Sequence, residues 1–438
     1  MVYRNRTGGK SVENKILEKA KELYFLVIAV FMYYFLNEYI DIGLHVTFRH
    51  AFALVLFASA VLVFLYKPDI ARGAVVFSDA CVYSVPLLVT TVASLFIWFV
   101  GIVDTSVISR GISGAYIYTN MLSSALGAGA LLYIFGKRGI WYNLLAILIA
   151  NLLMILTVIW QNGIALYFSE LFTLIVTFAD ITGEVIVQAE IHELAFCLGA
   201  YLIYMLYKPR KSISYIILLL LSLFCFLSAF KRIAMIAVAI ALLFGYLLKF
   251  IAKFVPKTAS RLITLFSVAL IALLIGYVAI IKMDVFALLE EAGINTSGRV
   301  KIYRAVDEFY EFSPEFLGHG IGFLTYQLNT YMNDIGVAAV HNDFLQYFID
   351  LGFWGYLIWL ISMTLLRVRY FGRSGNVDNA IVSFMLMVYL IVVSSTDNTM
   401  NYPLLTGVLA MLMMGNGFDD AVRKKELKIF GYVSDNNR

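Results

Sequence analysis

Three short stretches of this chain place residues where they could act on a phosphate. Lys231 and Arg232 sit in a turn between two long apolar runs. Arg299, Tyr303 and Arg304 follow Thr296-Ser297-Gly298, which reads as a helix start. Arg299 and Tyr303 would share one face of that helix, with Arg304 close by. Further on, His341-Asn342-Asp343 opens an amphipathic stretch that enters an apolar run at Phe353. Guanidinium groups grip phosphate oxygens through bidentate, charge-assisted bonds, and a neutral imidazole can take a proton from an attacking hydroxyl. Arg232, Arg299 and Arg304 beside His341 therefore suit chemistry on a lipid-linked phosphate. Each residue also has a plainer use. Paired cations at membrane depth snorkel to phospholipid headgroups, and a lone histidine at a helix start is commonly structural.

The elements that must position these residues are membrane helices. The 438 residues are 61% hydrophobic and 14% charged, where soluble domains run nearer half apolar and a quarter charged. A single water-soluble core is excluded. Runs such as 213–230 and 262–281 reach the ~20 apolar residues that cross a bilayer core, and they lack the alternation of barrel strands. Hydropathy gives spans at 24–42, 49–66, 80–103, 115–135, 140–160, 188–207, 213–230, 233–251, 262–282, 353–369, 380–396 and 404–418. The expected fold is an all-α polytopic membrane protein with about twelve transmembrane helices and one large outer loop. The first run follows a polar stretch and has no small-residue cleavage site after it, so it reads as a retained helix.

The segment near 164–182 is apolar but interrupted by Glu170 and Asp180, which suits an interfacial or re-entrant helix. If it does not cross, the basic clusters fall on one side: Arg4 to Lys21, Lys67 and Arg72, Lys137 and Arg138, Lys208 to Lys211, Lys253 to Arg261, Arg367 to Arg373, and Arg423 to Lys425. By the positive-inside rule that side is cytoplasmic, with both termini inside. Lys231 and Arg232 break the rule, since they fall at an outward turn. The net charge of +4 is thus distributed by topology and does not argue for nucleic acid.

Cys81, Cys197 and Cys225 lie in or beside apolar runs with no paired spacing, which indicates neither a disulfide framework nor a metal site. The acidic group of Glu184, Glu190, His192 and Glu193 matches no strong metal signature, and sugar-hydroxyl contacts or a solvated surface account for it better. No metal and no cofactor are expected. Asp397, Asn398 and Asn401 could hydrogen-bond a glycan or simply form a polar turn. Residues 283–352 carry no spanning run, yet aromatics such as Tyr303, Phe309 and Tyr326 are interleaved with charges, so this loop should fold against the membrane surface. Its glycine-rich turn, Gly318-His319-Gly320-Ile321-Gly322, lacks the setting of a nucleotide loop and reads as a place of close backbone packing.

In these stretches the sequence resembles the superfamily of O-antigen ligases and Wzy-type O-antigen or capsular polysaccharide polymerases. The resemblance rests on Ser297-Gly298-Arg299, on Gly318 to Gly322, on His341-Asn342 with Phe344-Leu345, on Leu351-Gly352-Phe353-Trp354-Gly355, and on Ser228 to Arg232 at the outer hairpin. It covers the loop and its flanking helices closely and the rest only as a many-helix pattern. It implies a GT-C-like fold in the bacterial cytoplasmic (inner) membrane and metal-independent glycosyl transfer from an undecaprenyl-diphosphate carrier to a hydroxyl, on the outer face. Carried over by position, His341, Arg299 and Arg232 would be catalytic. Arg304, Lys231, Tyr303 and Asn342 would bind substrate. Lys231 directly before Arg232, and Tyr303 where a bulkier aromatic is expected, depart from the pattern.

The resemblance further implies four regions: an N-terminal transmembrane bundle over 1–282, the outer catalytic loop over 283–352, C-terminal transmembrane helices over 353–418 and a cytoplasmic tail over 419–438. The expected activity is that of a polysaccharide polymerase joining two carrier-linked glycans, with a chain-length regulator and a flippase as expected partners. A ligase delivering glycan to a lipid A core or protein is the first alternative. A transporter of lipid-linked oligosaccharide is the second, against which stand the missing internal repeat and the single dominant loop. A cell-wall glycan polymerase would place an essential acid in the loop, with Asp307 or Asp343 as nominees.

Overall fold

The computed structural model describes residues 12–36, 38–40, 46–100, 107–177, 184–189, 191–293, 296, 298–331, 339–372 and 376–435. In chain order the helices are α1 (Val12–Tyr34), α2 (Phe48–Tyr66), α3 (Ile70–Tyr83), α4 (Val85–Val100), α5 (Val107–Phe135), α6 (Arg138–Asn162), α7 (Ile164–Thr177) and α8 (Glu184–Ala189). They continue with α9 (His192–Tyr207), α10 (Ile213–Ser228), α11 (Arg232–Phe254), α12 (Pro256–Lys282), α13 (Val285–Glu291) and α14 (Arg299–Val306). The last six are α15 (Phe323–Tyr331), α16 (Asp343–Ile361), α17 (Arg367–Gly372), α18 (Val377–Ser394), α19 (Pro403–Gly415) and α20 (Phe418–Asp435). The described strands, Tyr39–Ile40 and Val46–Thr47, form one antiparallel ladder.

Seven described helices are long and apolar enough to cross a bilayer, and α3 with α4 makes an eighth if the pair is one span bent by 45°. The bend falls at Ser84, just before Pro86, whose ring removes a backbone donor. The helices α7, α9, α10 and α19 are apolar but shorter than 18 residues. The expected first span needs correction: α1 starts at Val12 and ends at Tyr34, because the chain turns into the ladder before residue 42. Residues 18–21 of it are exposed and mostly charged, so hydropathy could not see this part of the helix.

Exposed leucines, valines and phenylalanines on α2, α4, α7 and α12 face outward, while α9, α18 and α19 are buried almost throughout. This is the inverse of a soluble bundle's surface and is the pattern expected of a bilayer solvent. The buried trio forms the centre of the molecule. The connection between α18 and α19, residues 395–402, closes one end of it.

The segment between α12 and α16 is folded rather than extended, with Val300, Tyr303, Val306, Tyr310, Ile321 and Leu324 buried. Its glycine-rich turn packs as the sequence indicates. Gly318 (φ 84°) and Gly352 (φ 70°) meet backbone to backbone, where a side-chain carbon on Gly352 would lie 2.1 Å from the Leu317 carbonyl carbon. The amides of His319 and Gly320 donate to the Asp350 carbonyl, and those of Gly322 and Leu324 donate to its carboxylate at 3.0 and 3.1 Å. Gly352→Val is therefore expected to destabilise the protein by about 3 kcal/mol or more, from a forbidden backbone conformation plus the clash. A thermal unfolding series in detergent checks this, and an unchanged midpoint would refute the contact.

Candidate functional site

The site is built around residues 395–402. Arg299 opens α14 after Gly298 turns the chain in the left-handed conformation (φ 76°), a position suited to glycine. Its Nη2 donates to the Thr396 carbonyl at 2.7 Å and its Nη1 to the Thr296 carbonyl at 3.3 Å. One turn later, Tyr303 is buried and its hydroxyl accepts from Asn342 Nδ2 at 3.1 Å. Burial pushes the Tyr303 phenol above its ordinary pKa, so it stays a neutral hydrogen-bonding group.

Asn342 caps α16, accepting from the Leu345 amide at 3.1 Å. Its Nδ2 also donates to Tyr277 at 3.2 Å, and Tyr277 donates to the Ser395 carbonyl at 2.7 Å. Asn342 is buried and thus joins α12, α14 and α16 to the 395–402 connection. Its side-chain amide is thus engaged within the fold. Asn342→Ala should lower stability by about 2–3 kcal/mol, the loss of a helix cap plus two buried hydroxyls left short of a donor. Tyr303→Phe, which removes one bond and keeps the ring, should lower it by about 1 kcal/mol, and equal midpoints for the two variants in detergent would contradict the network.

Directly before the cap stands His341, at φ 51°. Such an angle is uncommon outside glycine and is held only where the surroundings determine it. Here the capped helix on one side and an acidic contact on the other do so. His341 Nδ1 lies 3.5 Å from Asp397 Oδ1, with the imidazole 44% exposed and the carboxylate 15% exposed. Asp397 also receives the Tyr402 hydroxyl at 3.2 Å and the Asn398 amide at 2.8 Å. The phenol of Tyr402 is pushed upward by burial and then by the Asp397 charge. Asp343 is buried and accepts from the Met400 amide at 2.8 Å.

Arg232 begins α11, with Lys231 before it at the capping position, and both are half-buried. Gly245 of α11 lies against the Met385 thioether, and Phe244 packs on Phe384. Lys249 donates to the Tyr207 carbonyl while Tyr207 donates to Asp378, so α11 and α18 run antiparallel. From Gly245 to Arg232 the helix rises roughly 20 Å, and from Met385 to Ser395 about 15 Å. Arg232 therefore stands at the same end of the bundle as Thr396. Arg304 does not join the group: its Nε and Nη2 bond Asp284 Oδ2 at 3.0 and 2.8 Å on the exposed side of α14.

Several polar atoms here are buried with no hydrogen-bond partner among the described residues: Arg299 Nε, Asp343 Oδ1, Thr396 Oγ1, Asn398 Oδ1 and Asn401 Oδ1. Buried polar groups are ordinarily paired, so this cluster marks a place where hydroxyls or phosphate oxygens could bind. His319, in contrast, stacks on Phe323 with centroids 3.9 Å apart and contacts the Phe309 carbonyl at 2.9 Å.

Sequence reasoning missed Tyr277, hidden within an apolar run, and the pairing of Asp397 with His341. It also missed Arg49, which opens α2 and pairs with buried Glu193 at the start of α9. Glu193 further accepts from the Leu404 amide at 3.3 Å, so the acidic group has a structural member. A basic residue at the start of an apolar helix was the available signal. Glu190 and the side chains of Glu184 and His192 lie outside the described residues, and no cluster of three or more metal-ligating side chains occurs among the described ones.

Residues 216–360 match the sequence profile of the O-antigen ligase family, about a third of the chain. The matched part contains Arg232, Arg299 and His341. The match bears out the resemblance to the O-antigen ligase and Wzy superfamily and supports a glycan-transferring enzyme. No curated protein matches the chain.

Proposed function

Proceeding from the O-antigen ligase match over residues 216–360, we propose that the chain is a membrane-embedded polysaccharide polymerase. It transfers a growing glycan from an undecaprenyl-diphosphate carrier to a hydroxyl of a second lipid-linked repeat unit. The observation that carries this reading is the meeting of Arg299 and His341 on one polar connection, with orphaned buried polar atoms beside them. Guanidinium donors suit a diphosphate, imidazole suits a hydroxyl proton, and unpaired amide and hydroxyl oxygens suit sugar hydroxyls.

In the proposed reaction the donor diphosphate rests against Arg232 and Arg299. The acceptor oxygen attacks the anomeric carbon from the opposite face, and His341 takes the hydroxyl proton. The bond between that carbon and the diphosphate oxygen breaks, undecaprenyl diphosphate leaves with the electron pair, and the anomeric configuration inverts. Asp397 orients the imidazole through its contact with Nδ1. Lys231 adds positive charge beside Arg232, while Tyr303 and Asn342 hold the arrangement from behind. Arg304, engaged by Asp284, needs no part in it.

The same reading takes the chain to cross the bacterial inner membrane about twelve times, both termini cytoplasmic and the site on the outer face. The bilayer, donor and acceptor are its required partners, with a chain-length regulator and a flippase as accessory ones. A ligase is the second reading, favoured by the description of the matched family itself. Purified protein supplied with an undecaprenyl-diphosphate repeat unit, with and without lipid A core, separates the two. A ladder from the donor alone supports the polymerase, and transfer of glycan only to the core supports the ligase. Neither product, with the donor moved across a vesicle bilayer, would replace both by a transporter.

A further inference from the structure

The end of the bundle opposite residues 395–402 carries a second feature. There α20 leaves α19 through Gly417 (φ 103°) and lays Phe418 and Val422 against the body of the protein. Its other faces are charged, with Arg423, Lys424, Lys425 and Lys428 all exposed. Between α20, α3 and α17 lies a cleft of ≈ 350 Å³. Lys424, Lys425 and Lys428 line it on one side, and Ser78 and Tyr370 bring hydroxyl groups to the other. Its walls include apolar Val75, Phe371 and Met413. Two acids also reach it: Asp420, and Asp79, which accepts from the Tyr370 hydroxyl at 3.0 Å.

We propose that this cleft binds an anionic phospholipid of the adjoining leaflet. The three lysines would draw in the phosphodiester, and the apolar wall would take the start of an acyl chain. The cleft opens beside an exposed apolar strip of α3, where Ile70 is 61% and Phe77 73% exposed, as a lipid-facing helix requires. Basic groups beside an amphipathic helix attract anionic headgroups, each contributing roughly fivefold in affinity. The surrounding helix ends also bear Arg72, Lys137, Lys208 and Arg369, so by the positive-inside rule this is the cytoplasmic leaflet. The inference rests on the chain spanning a membrane and not on its transferring glycans.

The test uses full-length protein in nanodiscs of phosphatidylcholine with a minor share of phosphatidylglycerol. Lipid retained after detergent exchange is counted per protein by native mass spectrometry. The wild type should retain phosphatidylglycerol over phosphatidylcholine, and Lys424→Gln/Lys425→Gln/Lys428→Gln should lose that preference by at least about tenfold. Arg423→Gln, on the same helix but outside the cleft, should keep it. Equal retention in the triple variant, or an equal loss in Arg423→Gln, overturns the proposal. So does complete displacement by inorganic phosphate, which would make the cleft a general anion site. Should the triple variant fail to fold, amine labelling of the wild type decides. Phosphatidylglycerol should slow the labelling of Lys428 but not of Lys301, which is exposed on α14, and equal rates overturn it.

Discussion

Arg299→Ala is expected to lower kcat/KM for a diphosphate-linked donor by about a hundredfold or more, equivalent to roughly 3 kcal/mol of transition-state stabilisation. Two of the guanidinium nitrogens reach backbone carbonyls, and Nε is buried without a partner among the described residues. Donors therefore remain for charge developing on a leaving diphosphate, and the contact with the Thr396 carbonyl fixes where they lie. Arg299→Lys should recover only a small part of the loss, because an ammonium group keeps the charge and forfeits the planar fork. Arg304→Ala is the internal comparison: it removes a cation from the same helix that is already paired with Asp284, and should leave kcat/KM within a few-fold of the wild type. Steady-state kinetics on the three variants check this, and equal losses in Arg299→Ala and Arg304→Ala would reduce the helix to a general positive field.

His341→Asn is expected to reduce kcat by about a hundredfold to ten-thousandfold, the range for removing a positioned general base. Asparagine is chosen because it tolerates the left-handed backbone that His341 adopts at φ 51°, so the turn into α16 should survive. The unfolding midpoint should then stay close to that of the wild type while turnover falls. A kcat that falls only in proportion to folded protein would return His341 to a structural role. Asp397→Asn should be milder, since in the proposed reaction Asp397 acts only through its 3.5 Å contact with the imidazole.

Much of this was readable from residue order because the bilayer imposes a simple rule: apolar stretches must be helical, and charges collect at their ends. Each expected span overlaps a described helix, and the loop's helix starts at the expected Gly298-Arg299. Boundaries failed where polar residues continue a helix into water, as at the start of α1, and where a proline divides one, as between α3 and α4. His341 and Arg299 were legible because their side chains are unusual for the places they occupy. What brings them together was not. Tyr277 is a tyrosine among apolar neighbours, and its bonds to Ser395 and Asn342 depend on helices far apart in sequence. The pairing of Asp397 with His341 spans more than fifty residues and depends on how α16 meets the end of α18. Arg304 misled for the complementary reason: spacing places it beside Arg299, but only the fold shows that Asp284 claims it.

The most direct measurement is polymer ladder formation by purified protein in detergent, supplied with an undecaprenyl-diphosphate repeat unit, in parallel for wild type, His341→Asn and Arg304→Ala. The account predicts a ladder from the wild type and from Arg304→Ala, and its near-complete loss in folded His341→Asn. A full ladder from His341→Asn would contradict the assignment of the site, and no glycan transfer by the wild type to a carrier-linked acceptor would contradict the polymerase itself.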